Sequence, residues 1–232
     1  MPRRARLLLP GMSLHLIQRG NNRSVCFYRD EDYQFYLEHL ADQAQKHGCA
    51  VHAWCLMTNH VHLLITPSTV ESVGRLMKGL GQRYVQYINR TYRRSGTLWE
   101  GRYRSCLLNE ESYVLACYRY IEMNPVRAGM VDHPAEYRWS SYRVNAQGES
   151  SSLIKPHLLF SRLGEDCEQR ASAYRELFRY ELDPGLVDQI RSATNSNYAL
   201  GSPKFAVEVA NALGRTVVAG TPGRPRRTQG LD

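Results

Sequence analysis

The chain has 232 residues, 43% of them hydrophobic, and a formal net charge of +8. This is enough for one well-buried core and a small second unit, and it excludes a wholly disordered chain. Of the 30 basic residues only Lys46, Lys78, Lys155 and Lys204 are lysines. Guanidinium forks match phosphate, so the arginine bias, together with 15 tyrosines, favours nucleic acid over a membrane surface as partner. No apolar run approaches the roughly 20 residues of a spanning helix. The basic start Met1-Pro-Arg-Arg-Ala-Arg is followed only by Leu7-Leu8-Leu9 before Pro10, too short for a signal peptide, so a cytoplasmic, nucleoid-associated protein is expected. The six cysteines are scattered without a C-x-x-C pair, which argues against a zinc ribbon and a disulfide framework.

Ser13–Arg19 alternates and predicts a first strand. Gly20-Asn21-Asn22-Arg23 has turn chemistry. With Arg19 and Arg23 at its ends, it reads either as a loop whose backbone donors meet a phosphate or as an ordinary turn with solvated arginines. Asp30 is a candidate N-cap for a helix to about Lys46, with Tyr33, Tyr36, Leu37, Leu40 and Ala44 at helical spacing and Gly48 beyond its end. Val51–Met57 and His60–Ile65 read as strands joined by a Thr58-Asn59 turn, the second ended by Pro67. A helix from Thr69 or Ser72 to about Tyr92 has Val73, Leu76, Met77, Leu80, Tyr84, Tyr87 and Ile88 on its apolar side. Gly74, Gly79 and Gly81 admit a kink in it. Its other side carries Arg75, Lys78, Arg83, Arg90, Arg93 and Arg94, a face that is either solvated or tracks a nucleic-acid backbone. A short strand over Tyr103–Leu108 follows. Asn109 then caps a helix with Glu110 and Glu111 in its first turn. That helix runs to about Met123 and is expected to stop near Asn124, because Pro125 disfavours a helical residue before it.

The order βαββαβα predicts an α+β fold, a ferredoxin-like antiparallel sheet with helices on one face. In the usual strand order the first and third strands lie side by side at the centre, which brings His60 and His62 near His15. Arg138-Trp139-Ser140-Ser141-Tyr142 reads as the packed end of a domain spanning residues 1–145, followed by a polar linker over 146–164. Helices over Glu165–Tyr180 and Pro184–Ala193, and one from Ser202-Pro203 to Gly214, make a small helical region over 165–215. It is either a DNA-binding headpiece or a cap on the first domain. Residues 216–232 form a basic tail expected to be disordered. Its Gly223-Arg224-Pro225-Arg226-Arg227 is either an AT-hook-like minor-groove reader or a generic basic tail.

The chemistry concentrates in two stretches. On a strand His60 and His62 point to the same face, so two imidazoles one residue apart can grip one divalent cation. In Tyr120-Ile-Glu-Met-Asn124-Pro125, tyrosine and asparagine stand four apart and share a helix face. An amide oxygen is a suitable third ligand for Mg²⁺ or Mn²⁺ beside two imidazoles, with positions left for a phosphate oxygen. A tyrosine hydroxyl has an ordinary pKa near 10 and needs help to attack a phosphodiester. Positive potential from Arg119 or Arg127 would supply part of it. Tyr113 and Tyr118 are rival tyrosines that spacing alone does not exclude.

Together, Trp54…Asn59-His60-Val61-His62-Leu63, Leu98-Trp99-Glu-Gly101-Arg102-Tyr103 and Tyr120-Ile-Glu-Met-Asn124-Pro125-Val-Arg127-Ala-Gly129 resemble the single-tyrosine HUH transposases. More closely, they resemble the REP-associated tyrosine transposases of bacteria, a branch that Arg19-Gly-Asn-Asn-Arg23 and Trp139-Ser-Ser-Tyr142 also fit. The resemblance covers about residues 10–145 and implies an HUH nuclease type of sheet. It makes His60 and His62 the metal pair, Asn124 the third polar ligand, and Tyr120 the nucleophile that forms a 5′-phosphotyrosine and leaves a 3′-hydroxyl. It implies a substrate of single-stranded DNA with hairpins at repeated extragenic palindromes, and a monomer or homodimer using Tyr120 from its own or the partner chain. DNA contacts are expected at Arg19, Asn21, Arg23, Arg102, Arg104, Arg127, Arg224, Arg226 and Arg227. Two alternatives are a non-catalytic protein that recognises palindromic hairpins and a metal-dependent nuclease that uses water.

Overall fold

The computed structural model of the chain describes residues 5–218. The elements of its first part are β1 (Leu14–Arg19), α1 (Asp30–Lys46), β2 (Cys49–Met57), β3 (His60–Pro67), α2 (Ser72–Thr91), β4 (Arg104–Leu108), α3 (Glu110–Glu122) and α4 (Asn124–Arg127). Then come α5 (Tyr142–Gln147), α6 (Leu158–Ser161), α7 (Cys167–Glu176), α8 (Pro184–Ser196), β5 (Ala199–Leu200) and α9 (Pro203–Leu213). The sheet order is β2-β3-β1-β4-β5. β1 runs antiparallel to both β3 and β4, as the ferredoxin-like order requires, and β5 adds a short parallel edge to β4. Among the described residues no helix is long and apolar enough to cross a membrane, and all six cysteines are free thiols.

Helices cover both faces of this sheet, where the sequence pattern suggested one. Gln18 of β1 shares a cleft with Gly74 and Met77 of α2. The alternate residues His15, Ile17 and Arg19 share another with Tyr120 of α3 and Arg191 of α8. The physical reason lies in β2 and β3, which are buried almost without interruption. Such strands need cover on both sides, whereas a strand with one solvated face alternates. α8 supplies part of the second layer by packing on β4 and β1.

Local details differ from simple propensity in two places. Arg29, not Asp30, occupies the N-cap of α1, and the capping carboxylate is Asp32. This fully buried group accepts the Tyr28 N–H at 2.8 Å, the Arg29 N–H at 3.1 Å and the hydroxyls of Tyr87 and Tyr92. Hydrogen bonds to a charged group contribute about 1.5–3 kcal/mol each, so one residue ties the start of α1 to the end of α2. At the other place, α3 breaks at Met123 but the chain turns helical again at once as α4, with Pro125 in its first turn. Proline has no N–H to lose there. Asn124 is therefore held under α3, its amide donating to the carbonyls of Tyr120 (3.0 Å) and Ile121 (3.1 Å).

Residues 146–164 are fastened to the sheet. Lys155 N donates to Val51 O at 2.8 Å, and His52 Nδ1 meets Lys155 O at 2.6 Å. α7, α8 and α9 each start at a side-chain cap, Asp166, Asp183 and Ser202, and α9 ends at left-handed Gly214. Buried Glu122 of α3 accepts hydrogen bonds from Ser141 Oγ (2.6 Å), Asn145 Nδ2 (2.7 Å) and the Tyr174 hydroxyl (2.7 Å), which ties α3 to α5 and α7. Burial lifts this carboxyl to about 7, against the pull of those three donors. Arg224, Arg226 and Arg227 lie outside the described residues.

Candidate active site

A cleft of about 240 Å³ opens where β1 and β3 meet α3, α4 and α8. Strand alternation puts His60 and His62 on its floor, ring centroids 4.9 Å apart with planes at 77°. His60 Nδ1 lies 2.6 Å from Asn59 Oδ1, so its N–H is spent there and Nε2 is bare. The Asn59 amide is itself oriented by donating to Arg23 O at 3.1 Å. His62 Nδ1 lies 2.8 Å from His15 Nε2, and His15 Nδ1 lies 2.8 Å from Thr194 Oγ1 of α8. All three histidines are held neutral. Burial, then Arg127, takes His15 down to about 3; burial, then Arg19, takes His60 down to about 4. Burial, then its two histidine neighbours, takes His62 well below the ordinary range.

Tyr120 stands over this floor, its ring 5.5 Å from His15 and 5.8 Å from His62, edge-on to both. Arg127 lies over the ring with its Cζ 4.4 Å from the centroid, and Arg191 of α8 lines the same cleft. Burial raises the phenol above its usual value, while Arg127 and Arg191 oppose the shift by favouring the phenolate. The rival tyrosines are placed differently. Tyr118 is fully buried, with its hydroxyl accepting from His157 N at 3.2 Å. Tyr113 packs on the core, and neither lines the cleft.

The donor set suits a hard divalent cation. The Nε2 of His60 and the ring of His62 face the cleft, and the Asn124 amide, having spent its N–H groups on two carbonyls, has its oxygen free to ligate. Among the described residues no group of three or more His, Cys, Asp or Glu side chains is arranged to hold a metal ion by itself. The ligand set is thus neutral, and the surrounding charges are Arg19, Arg127 and Arg191. Such a site favours an anion beside the cation, since arginines alone would repel it.

The cleft continues across Arg19 and Asn195 into a second one of about 370 Å³, lined by Arg6, Arg102, Arg104 and Tyr103 among others. Four of the expected DNA contacts, Arg19, Arg102, Arg104 and Arg127, therefore gather along one path. Asn21 and Arg23 line neither cleft. Most backbone donors of their loop are already engaged within the fold. The N–H groups of Gly20, Asn21, Arg23 and Ser24 donate to Asn59 O, Leu98 O, Gly20 O and Asn21 O. A Cβ on Gly20 would sit 2.2 Å from Ser24 O, so the residue must be glycine for the loop to clasp the Asn59 turn. Arg191, Thr194 and Asn195 were not foreseen. No local pattern marks them, because only the packing of α8 brings them to the cleft. The placement of His15 on a neighbouring strand was the available hint.

An IS200-like transposase family model matches residues 9–124. Among solved structures, a REP-associated tyrosine transposase bound to a REP hairpin is similar at 16% identity with a TM-score of 0.55, covering 68% of this chain and 93% of that one. A putative transposase from Deinococcus radiodurans is 24% identical over 48% of this chain and 89% of its own, with a TM-score of 0.37. No curated protein matches. The first of these structures shares the fold. With the motifs in family order on that fold and half of the sequence matched, the chain belongs to the IS200-like transposase family.

Proposed function

We propose that this transposase is a metal-dependent endonuclease and strand transferase for single-stranded DNA, of the REP-associated branch. The observation that carries this reading is the convergence of Tyr120, the His60 and His62 imidazoles and the Asn124 amide in one arginine-rimmed cleft. His60, His62 and Asn124 would hold Mg²⁺ or Mn²⁺, which would supply Lewis-acid polarisation of the scissile phosphate. Arg127 and Arg191 stabilise negative charge at the tyrosine oxygen, and Arg19 draws the phosphate into the cleft. The Tyr120 hydroxyl attacks phosphorus and gives up its proton to solvent. The bond from phosphorus to the 3′ oxygen breaks, and that oxygen leaves as a 3′-hydroxyl after taking up a proton. The 5′-phosphotyrosine conserves the bond energy, so rejoining to another 3′-hydroxyl requires no nucleotide cofactor.

The substrate is single-stranded DNA carrying a hairpin, with the flanking strand along the Arg19–Arg102–Arg104 path. The similar structure holding a REP hairpin supports that choice. The test uses 5′- and 3′-labelled oligonucleotides with a hairpin from the gene's own flanks, with Mn²⁺ or Mg²⁺, on a denaturing gel. The expected result is a protein-sized adduct that keeps only the 3′-side label and is absent with Tyr120→Phe and with chelator. Cleavage without adduct in both proteins would assign the chemistry to water. Tight hairpin binding without cleavage would make this a recognition protein.

A further inference from the structure

His62 has a hydrogen-bond chain behind it that ends far away in sequence. Thr194 Oγ1 donates to Ile190 O at 2.7 Å, one helical turn back in α8. Its proton is thereby spent, because a carbonyl cannot donate in return. Toward His15 Nδ1, 2.8 Å away, the same oxygen can only accept, so His15 carries its proton on Nδ1. His15 Nε2 is then a lone pair, and the 2.8 Å contact with His62 Nδ1 is a bond donated by His62. The two rings have planes 7° apart and centroids separated by 5.0 Å. With nitrogens 2.8 Å apart, parallel rings at that separation have almost no vertical offset, so the N–H of one points along the lone pair of the other. His15, His62 and Thr194 are 1%, 2% and 2% exposed, leaving no solvent to scramble the order.

We propose that Thr194 and His15 are positioning residues that fix His62 as the Nδ1–H tautomer and so present its Nε2 lone pair to the cleft. The inference rests on the metal reading above for its consequence, but not for its geometry. If the chain ran the other way, His62 would carry a proton on Nε2 and could not ligate a cation. His60 obtains the same tautomer from its neighbour Asn59. For His62 the direction is set by a hydroxyl 179 positions along the chain from His15, in a part of the molecule beyond the residues matched by the family model. The region after residue 165 thus takes part in assembling the site.

The test is long-range ¹H–¹⁵N NMR of histidine-labelled full-length protein without metal, paired with Mn²⁺ titration calorimetry, for wild type, Thr194→Val and Thr194→Ser. We expect the wild-type His62 proton on Nδ1. Valine should shift it toward Nε2 and weaken Mn²⁺ binding by at least about tenfold. Serine, which keeps the hydroxyl, should restore both to within about twofold. A wild-type His62 protonated on Nε2 overturns the proposal without any variant. So does a folded valine variant with unchanged tautomer and unchanged Mn²⁺ affinity. A wild type with the Nδ1–H tautomer that binds no Mn²⁺ overturns the metal reading and supports the relay.

Discussion

Residues 9–124 and the later helix α8 meet in the same cleft and bring different things to it. The first part supplies the groups that would touch the reacting phosphate and its metal, Tyr120, His60, His62 and Asn124, on strands and helices tied together by the sheet ladder. The second supplies Arg191 and Thr194 from α8, which act on those groups from behind or beside them. A sheet whose strands are buried on both faces needs a second helical layer, and here that layer carries function as well as cover. The split suggests that chemistry fails completely when the first part is changed and by degrees when the second is.

The largest expected effect is that of Tyr120→Phe. It removes one oxygen and should abolish the covalent adduct, while fluorescence anisotropy finds single-strand affinity within about twofold of wild type, because the arginine path is intact. His60→Ala comes next. Removing a metal ligand should lower Mn²⁺-dependent cleavage by more than the roughly 10–100-fold that loss of an outer-shell partner costs, and raise the Mn²⁺ concentration for half-maximal rate. Cleavage that stays metal-responsive at wild-type levels would remove His60 from the ligand set.

Arg191→Ala probes the second part. The side chain is exposed, and its pair with Asp188 at 3.6 Å is a surface ion pair of little worth, so the melting temperature should not move. Loss of its charge at the tyrosine oxygen should slow single-turnover adduct formation by about tenfold. An unchanged rate would confine the second part to cover and positioning.

Glu122→Gln should leave adduct formation alone and change only stability. The folded carboxyl titrates near 7 against an ordinary 4.5, so the native state holds the proton more tightly than the unfolded chain. Its contribution is complete below about pH 4.5 and is lost as pH rises through 7, a change on the order of 3 kcal/mol. Glutamine cannot ionise, so thermal unfolding of the variant between pH 5 and 8.5 should follow a flatter curve on the alkaline side. Parallel curves would show that Glu122 stays ionised when buried.

The sequence made the first part legible because its elements are long enough to show a period. α2 presents its apolar stripe where spacing put it, and β3 turns His60 and His62 to one side by simple alternation. The neighbouring β1 and β3 followed from element order. β5 could not be read, since two residues have no alternation. α4 was hidden because Pro125 reads as a helix stop when it is in fact the start of a new turn. The Gly20–Arg23 loop read equally as a phosphate cradle or an ordinary turn; the Gly20, Asn21 and Arg23 donors are committed to Asn59, Leu98 and the loop itself, a long-range closure without a local signature. For the site, residue type and spacing named Tyr120, His60, His62 and Asn124. Arg191 and Thr194 lie outside that reach, since nothing around them in sequence speaks of a histidine on β1.

The central claim is that Tyr120, and neither Tyr113 nor Tyr118, becomes joined to DNA. The most direct measurement is to trap the adduct on a hairpin oligonucleotide with Mn²⁺, trim the DNA with nuclease, digest the protein with trypsin and sequence the modified peptide by mass spectrometry. The account predicts a nucleotide phosphate on Tyr120, in the segment before Arg127. A nucleotide on Tyr113 or Tyr118 would contradict it.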